Sequence, residues 1–121
     1  MSNSNEPDQA LEILRQALRA DPTNLGIADR YWKARAAYKG KYDIRCGRHI
    51  IEAYREAALR SPQGVIALAS AYKDLFTTTG EGPRPVYFDD DLVCALQRYL
   101  PELPERERST VRWILESVRR A

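Results

Sequence analysis

The chain has 121 residues, 44% of them hydrophobic and 30% charged. That is enough for one compact domain with its own core, and the composition excludes a collagen, a low-complexity chain and a disulfide scaffold. Nineteen basic and seventeen acidic side chains leave a net charge of +2, which names no partner, but the charge falls in blocks. Residues 1–29 carry −3, residues 30–60 carry +6, residues 61–105 carry −4 and residues 106–121 carry +3. The basic residues are 15 Arg and 4 Lys, a bias that follows from genome composition as readily as from a need for carboxylate or phosphate forks. No run approaches the ~18 apolar residues of a membrane span. The polar start from Met1 to Gln9 lacks the apolar core of a secretory signal, and a cytoplasmic protein is expected. Cys46 and Cys94 show no CxxC spacing and are expected to be buried, reduced thiols.

Apolar periodicity reads as helix nearly throughout. The first six residues are expected to be disordered. Helix one is predicted over 7–20, with Pro7 in its first turn and Leu11, Leu14 and Leu18 on one stripe widened by Ile13 and Ala17. Asp21-Pro22-Thr23-Asn24 breaks it. Helix two, 24–39, carries Ile27, Tyr31, Ala34 and Tyr38 at helical spacing, and Gly40 is a suitable stop. Helix three, 44–60, turns Ile50, Ile51, Tyr54, Ala57 and Ala58 inward. Ser61-Pro62 supplies a hydroxyl cap and a first-turn proline. Helix four, 62–77, then reads Val65, Leu68, Ala69, Tyr72, Leu75 and Phe76. Residues 77–88, TTTGEGPRPVYF, are rich in threonine, glycine and proline and predict the one long loop, with Val86 to Phe88 as a short strand lacking an obvious partner. Helix five is expected over 90–100, ending at Pro101. Helix six, 104–119, opens at Pro104 with Val111, Ile114, Leu115 and Val118 on its stripe and Trp113 on the flank. The expected architecture is a single all-α domain of about six antiparallel helices, either a stack of helical hairpins or a closed bundle.

The chain also repeats itself at an offset of 40 residues. Leu25, Ala28, Tyr31 and Trp32 map onto Val65, Leu68, Ala71 and Tyr72, while Ala10, Leu14, Ala17 and Pro22 map onto Ile50, Tyr54, Ala57 and Pro62. A weaker third copy places Ala95 and Tyr99 beneath Ile50 and Tyr54. ALEILRQALRADPTN at 10–24, with Ala10, Leu14, Ala17, Leu18 and Pro22, resembles the second-helix half of a tetratricopeptide-type repeat, and the resemblance spans about residues 8–100. The first-helix half departs from that pattern: Trp32 and Tyr72 stand where the family has glycine, and the period is 40 rather than about 34. The resemblance implies stacked hairpins, a capping sixth helix with Arg106, Arg108, Arg112, Arg119 and Arg120 toward solvent, and a role in binding a peptide or partner protein rather than in chemistry.

The candidate chemical features are few. Asp89-Asp90-Asp91 is expected to cap helix five and meet the positive end of its dipole rather than to hold a divalent cation. Cys46 and His49 share a helix face, but a closed zinc site needs four ligands and no fourth is evident. His49 is therefore expected on the helix surface. Gly80 and Gly82 lack the lysine and the preceding strand of a phosphate loop. No catalytic residues, cofactor or metal are assigned, and the chain is read as a non-enzyme.

The basic stretch from 30 to 60 interleaves Arg30, Lys33, Arg35, Lys39, Lys41, Arg45, Arg48, Arg55 and Arg60 with Tyr31, Trp32, Tyr38, Tyr42 and Tyr54. Cations and stackable rings together suit single-stranded nucleic acid, whereas rings buried in the core leave only solvated charges. The leading expectation is an adaptor that binds a peptide or partner protein in a groove between helices two and four, with self-association also open. Its contact residues are expected to be Asp29, Arg30, Lys33, Lys73 and Phe76, with Trp113 and the 77–88 loop as secondary contacts. A helical nucleic-acid-binding module using the 30–60 segment is the alternative.

Overall fold

The structure is a computed structural model that describes residues 6–37 and 46–119, with side chains from residue 9 onward. The predicted features at Tyr38, Lys39, Gly40, Lys41, Tyr42, Arg45 and Arg120 lie outside the described residues. The described residues form six α-helices and no strand: α1 (Glu6–Ala20), α2 (Leu25–Ala36), α3 (Gly47–Arg60), α4 (Pro62–Thr79), α5 (Asp90–Tyr99) and α6 (Glu105–Arg119). The fold is all-α.

Local chemistry accounts for most of the helix ends. The Asn24 side chain accepts the Ile27 N–H at 3.1 Å and starts α2. Ser61 is both the last-turn residue of α3 and the cap of α4. Its N–H donates to the Ala57 carbonyl at 3.0 Å, and its hydroxyl accepts the Gly64 N–H at 3.2 Å. Pro62 then takes the first position of α4, where no N–H is needed. Gly80, at φ +79, ends α4 in the left-handed conformation. Asp89 accepts the Leu92 N–H at 3.1 Å and caps α5, as the sequence led us to expect of the acidic triplet.

Several boundaries differ from expectation. Helix α1 already includes Glu6. The three threonines at 77–79 are the last turn of α4, not loop. The Thr79 hydroxyl donates to the Leu75 carbonyl at 2.8 Å, a side-chain bond within the helix. The loop thus begins at Gly80. The expected strand at Val86 to Phe88 is instead a 3-10 turn, Pro85–Tyr87. Proline at its first position and the lack of a partner strand both favour the turn. Val86 is 83% exposed while Phe88 is buried against Tyr72, ring centroids 5.8 Å apart. A second 3-10 turn, Leu100–Glu102, carries the chain round Pro101 into α6.

Each helix packs on the next and, from α2 onward, on the next but one: α2 touches α4, α3 touches α5 and α4 touches α6. The α3–α4 pair is the most extensive contact. Gly64 makes it possible, because a Cβ there would lie 2.1 Å from the Ala57 carbonyl carbon and oxygen. The core runs along this axis through Tyr31, Ile50, Leu68, Tyr72, Leu92, Leu96 and Ile114, all fully buried. Burying side chains of this size contributes about 1.5–3 kcal/mol each.

The 40-residue offset is matched in burial at only some positions, Leu25 being half-buried where Val65 is fully buried. Ala28 and Leu68, Tyr31 and Ala71, and Trp32 and Tyr72 are buried at matched positions of α2 and α4. The match is looser for α1 and α3, since Ala10 is exposed and Ile50 fully buried. The prolines also differ, Pro62 lying inside α4 while Pro22 lies in the turn before α2.

Candidate functional site

Trp32 and Ala36 on the C-terminal half of α2 face Leu75 on α4 across a groove of about 490 Å³. Cys46 closes one end, and Thr77, Thr78 and Thr79 of the last α4 turn form a hydroxyl-bearing wall. Lys33 rises from the α2 side, and Lys73 with Asp74 from the α4 side. Apolar rings and methyls therefore make the base, and charged ends the rim, as binding clefts require. Two smaller depressions of about 220 Å³ are more strongly charged: Arg15, Glu52 and Glu56 border one, and Lys73, Asp74, Arg106 and Glu107 the other.

Trp32 and Tyr54 are buried together. The Trp32 indole N–H approaches the Tyr54 hydroxyl without reaching hydrogen-bond geometry. Burial, and then the charge of Asp29, pushes the Tyr54 phenol up to about 12, so it stays neutral. The Tyr31 hydroxyl is likewise sealed in, near Arg15 and Glu52 but bonded to neither.

The six expected contact residues divide into separate groups. Lys33 and Lys73 line the same groove. Asp29 lies one turn before Lys33 and pairs with it at 3.0 Å, which holds the lysine along the rim. Arg30 is exposed but does not line the groove. Phe76 and Trp113 lie together elsewhere, between α4 and α6, with ring centroids 5.1 Å apart in an edge-on arrangement. Phe76 is 48% exposed, although it was expected on the inward stripe. Leu75 and Phe76 are about 100° apart around the helix, and α4 buries Leu75. The threonines belong to the 77–88 segment expected to make secondary contacts, whereas Asp74 and Cys46 are groove residues beyond those the sequence suggests.

The remaining polar features hold the fold together. Asp89 pairs with Arg55 of α3 as well as capping α5. The Arg55 guanidinium, followed by the Leu92 N–H, holds the Asp89 carboxyl below its ordinary range. The expected surface position of His49 is incorrect: it is 2% exposed, because it lies one helical turn before Ala53 on the inward face of α3. Cys46 is buried, but Cys94 is exposed, contrary to expectation, on the side of α5 opposite Leu92 and Leu96. Arg108 also departs from the solvent-facing row expected on α6, donating to the Leu103 carbonyl at 3.1 Å. Of the rings in the basic stretch, Tyr31 and Tyr54 are buried in the core and offer no stacking face to nucleic acid, while Trp32 is buried except where it lines the groove.

Glu81, in the loop after α4, is the polar contact that the sequence did not reveal. Its two carboxylate oxygens accept the Cys46 and Gly47 N–H groups, each at 2.9 Å. It thereby caps the start of α3, which has no side-chain cap of its own. The Tyr72 hydroxyl donates to the Gly47 carbonyl at 3.1 Å. A Cβ at Gly47 would lie 2.9 Å from that hydroxyl and 3.0 Å from the carboxylate. Comparison of the chain with protein-family models, curated proteins and solved structures finds no match in any of the three.

Proposed function

We propose that the chain is a small cytoplasmic interaction module, built as a tetratricopeptide-like stack of helical hairpins, that binds a peptide or partner protein along the α2–α4 groove. The observation that carries this reading is the groove itself: an apolar base of Trp32, Ala36 and Leu75 between lysines from two different helices. Such a surface fits an apolar anchor side chain flanked by polar or acidic groups. Packing of each helix on its near neighbours is the arrangement a hairpin stack requires. No described helix is long and apolar enough to cross a membrane.

The test is capture of partners on the immobilised chain compared with two groove variants. Ala36→Trp fills the groove, and Lys73→Glu reverses the charge on the α4 rim. A partner held by the parent chain, lost with Ala36→Trp and weakened with Lys73→Glu, is the expected result. Exposed Arg112→Glu on α6 serves as the control. A partner retained by both groove variants and lost with the Arg112 control refutes the assignment.

A further inference from the structure

A depression of about 220 Å³ lies where α1, α2 and α3 meet, and it shares no lining residue with the α2–α4 groove. Its rim is charged in both senses. Arg15 and Arg19 border it from α1, and Glu52 and Glu56 from α3. Leu18 and Ala53 give it apolar walls, and Tyr31 supplies the α2 side. The Tyr31 side chain is fully buried, yet its hydroxyl has no hydrogen-bond partner. That hydroxyl is directed at the rim, near Arg15 and Glu52, whose charges both act on it. A polar group buried in this way destabilises the fold unless something bonds to it. Two of the four rim charges are also open. Arg15 pairs with Glu12 at 3.1 Å, and Glu56 with Arg55 at 3.1 Å and Arg60 at 3.3 Å. Arg19 and Glu52 are exposed and form no ion pair among the described residues.

We propose that this depression binds a free aliphatic α-amino acid: Arg15 and Arg19 take the carboxylate, Glu52 takes the ammonium group, and the Tyr31 hydroxyl donates to the carboxylate. The balance of charge selects the ligand. A simple anion meets Glu52 and Glu56, and a simple cation meets Arg15 and Arg19, so either is attracted to one wall and repelled by the other. A ligand that carries both charges meets each wall with the opposite sign. A peptide terminus brings only one of the two. The volume is below the about 300–1,000 Å³ of sites for drug-sized ligands, and Leu18 and Ala53 suit a short alkyl side chain. Arg15 is the movable part. Its only ion pair is to Glu12 on the same helix, and both side chains are partly exposed. A pair of this kind is weak, so the guanidinium can turn to a carboxylate and bare the hydroxyl. The site does not depend on the α2–α4 groove, and the failure of either proposal leaves the other standing.

The probe is L-valine, with L-alanine and L-leucine beside it, titrated into the full chain and followed by amide NMR shifts. At least one of the three is expected to bind with a dissociation constant of about 1 mM or tighter, with the largest shifts at the Tyr31 and Ala53 amides. Isobutylamine lacks only the carboxylate of valine, and isovalerate only its ammonium group. Each is expected to bind at least about tenfold more weakly than valine, because each forfeits a charge-assisted contact. Tyr31→Phe keeps the buried ring and removes only the hydroxyl. It is expected to weaken binding at least about fivefold, while the thermal midpoint stays level or rises because an unbonded buried hydroxyl is gone. Glu52→Gln, at an exposed position, gives the reading should Tyr31→Phe fail to fold. It is expected to weaken binding at least about tenfold, whereas Arg112→Gln on exposed α6 surface leaves it unchanged. No saturation by any of the three amino acids up to about 10 mM, equal binding of either single-charge analogue, or parental affinity in either site variant overturns the proposal.

Discussion

Replacing Gly64 with alanine tests the account of the α3–α4 contact at its closest point. The added Cβ would lie 2.1 Å from the Ala57 carbonyl carbon and oxygen and 2.5 Å from the Ala58 nitrogen. All three are helix backbone atoms, so no side chain can swing aside, and α4 must move away from α3. Overpacking of a tight core costs about 1–3 kcal/mol, and occasionally more; contact with backbone puts this site at the upper end. Alanine returns about 0.5–1 kcal/mol through its better helix propensity. The net expectation is a loss of about 2 kcal/mol, or about 8 °C in the thermal midpoint of a domain this size, followed by circular dichroism. Gly26→Ala is the internal control. It lies on the exposed face of the first turn of α2, where a Cβ would lie 3.4 Å from the Asn24 side-chain oxygen. That variant is expected to be neutral or slightly more stable. Gly64→Ala with parental stability, or both variants shifting in the same direction by similar amounts, would refute the packing argument.

Two further expectations concern pH. Burial raises the phenols of Tyr31, Tyr54 and Tyr72 above the ordinary 10, Tyr54 to about 12 and Tyr72 further. The unfolded chain therefore releases protons that the folded chain retains, so stability is full below pH 10 and falls as pH rises beyond it. Phenolate absorbance from these three of the seven tyrosines should appear together with the loss of helix, and ionisation of more than four tyrosines near pH 10 in a fully helical chain would contradict their burial. Asp89 has the opposite sign: its carboxyl is held below the ordinary 3.8, so its contribution is present above that pH and is lost as pH falls below it. The side chain is 51% exposed, which limits the ion pair to less than about 1 kcal/mol. Asp89→Asn keeps a capping oxygen for α5 and should narrow the difference in urea midpoint between neutral and acid pH, less so in high salt. Parallel acid curves for parent and variant would assign the effect elsewhere.

The order and type of all six helices were legible because each carries an apolar stripe of period 3.6 and most carry a local end signal. Ser61-Pro62 and Asp89 act where the sequence placed them. Misreadings arose where one residue type argued against another. The threonines at 77–79 argued for loop, but Gly80, the only left-handed residue among those described, sets the true end of α4. Angular position would have placed His49 inward and Cys94 outward, since each is fixed by the residues one turn away. The groove was legible only in part. Lys33 and Lys73 are placed by helical spacing, but Phe76 and Trp113 meet each other on the far side of α4, through a pairing that only the packing of α4 on α6 decides. The Glu81 contact joins residues 34 and 35 positions apart and has no local signature. Gly64, the site of closest approach between α3 and α4, carries no signal in the local sequence pattern.

Ser61 is the whole connection between α3 and α4, so the phase of one helix relative to the other is set by a single residue. One residue inserted there would rotate α4 by about 100° about its own axis. Val65, Leu68 and Tyr72 would leave the core together, and Gly64 would no longer face Ala57. The loop from Gly80 to Phe88 is pinned at Glu81 and again at the Pro85–Tyr87 turn and Phe88, which pack on α3, α6 and Tyr72, and can take extra residues between Glu81 and Pro85. Length variation in proteins sharing this architecture should therefore concentrate after Glu81 and be absent at the α3–α4 junction, where spacing itself carries the structural information.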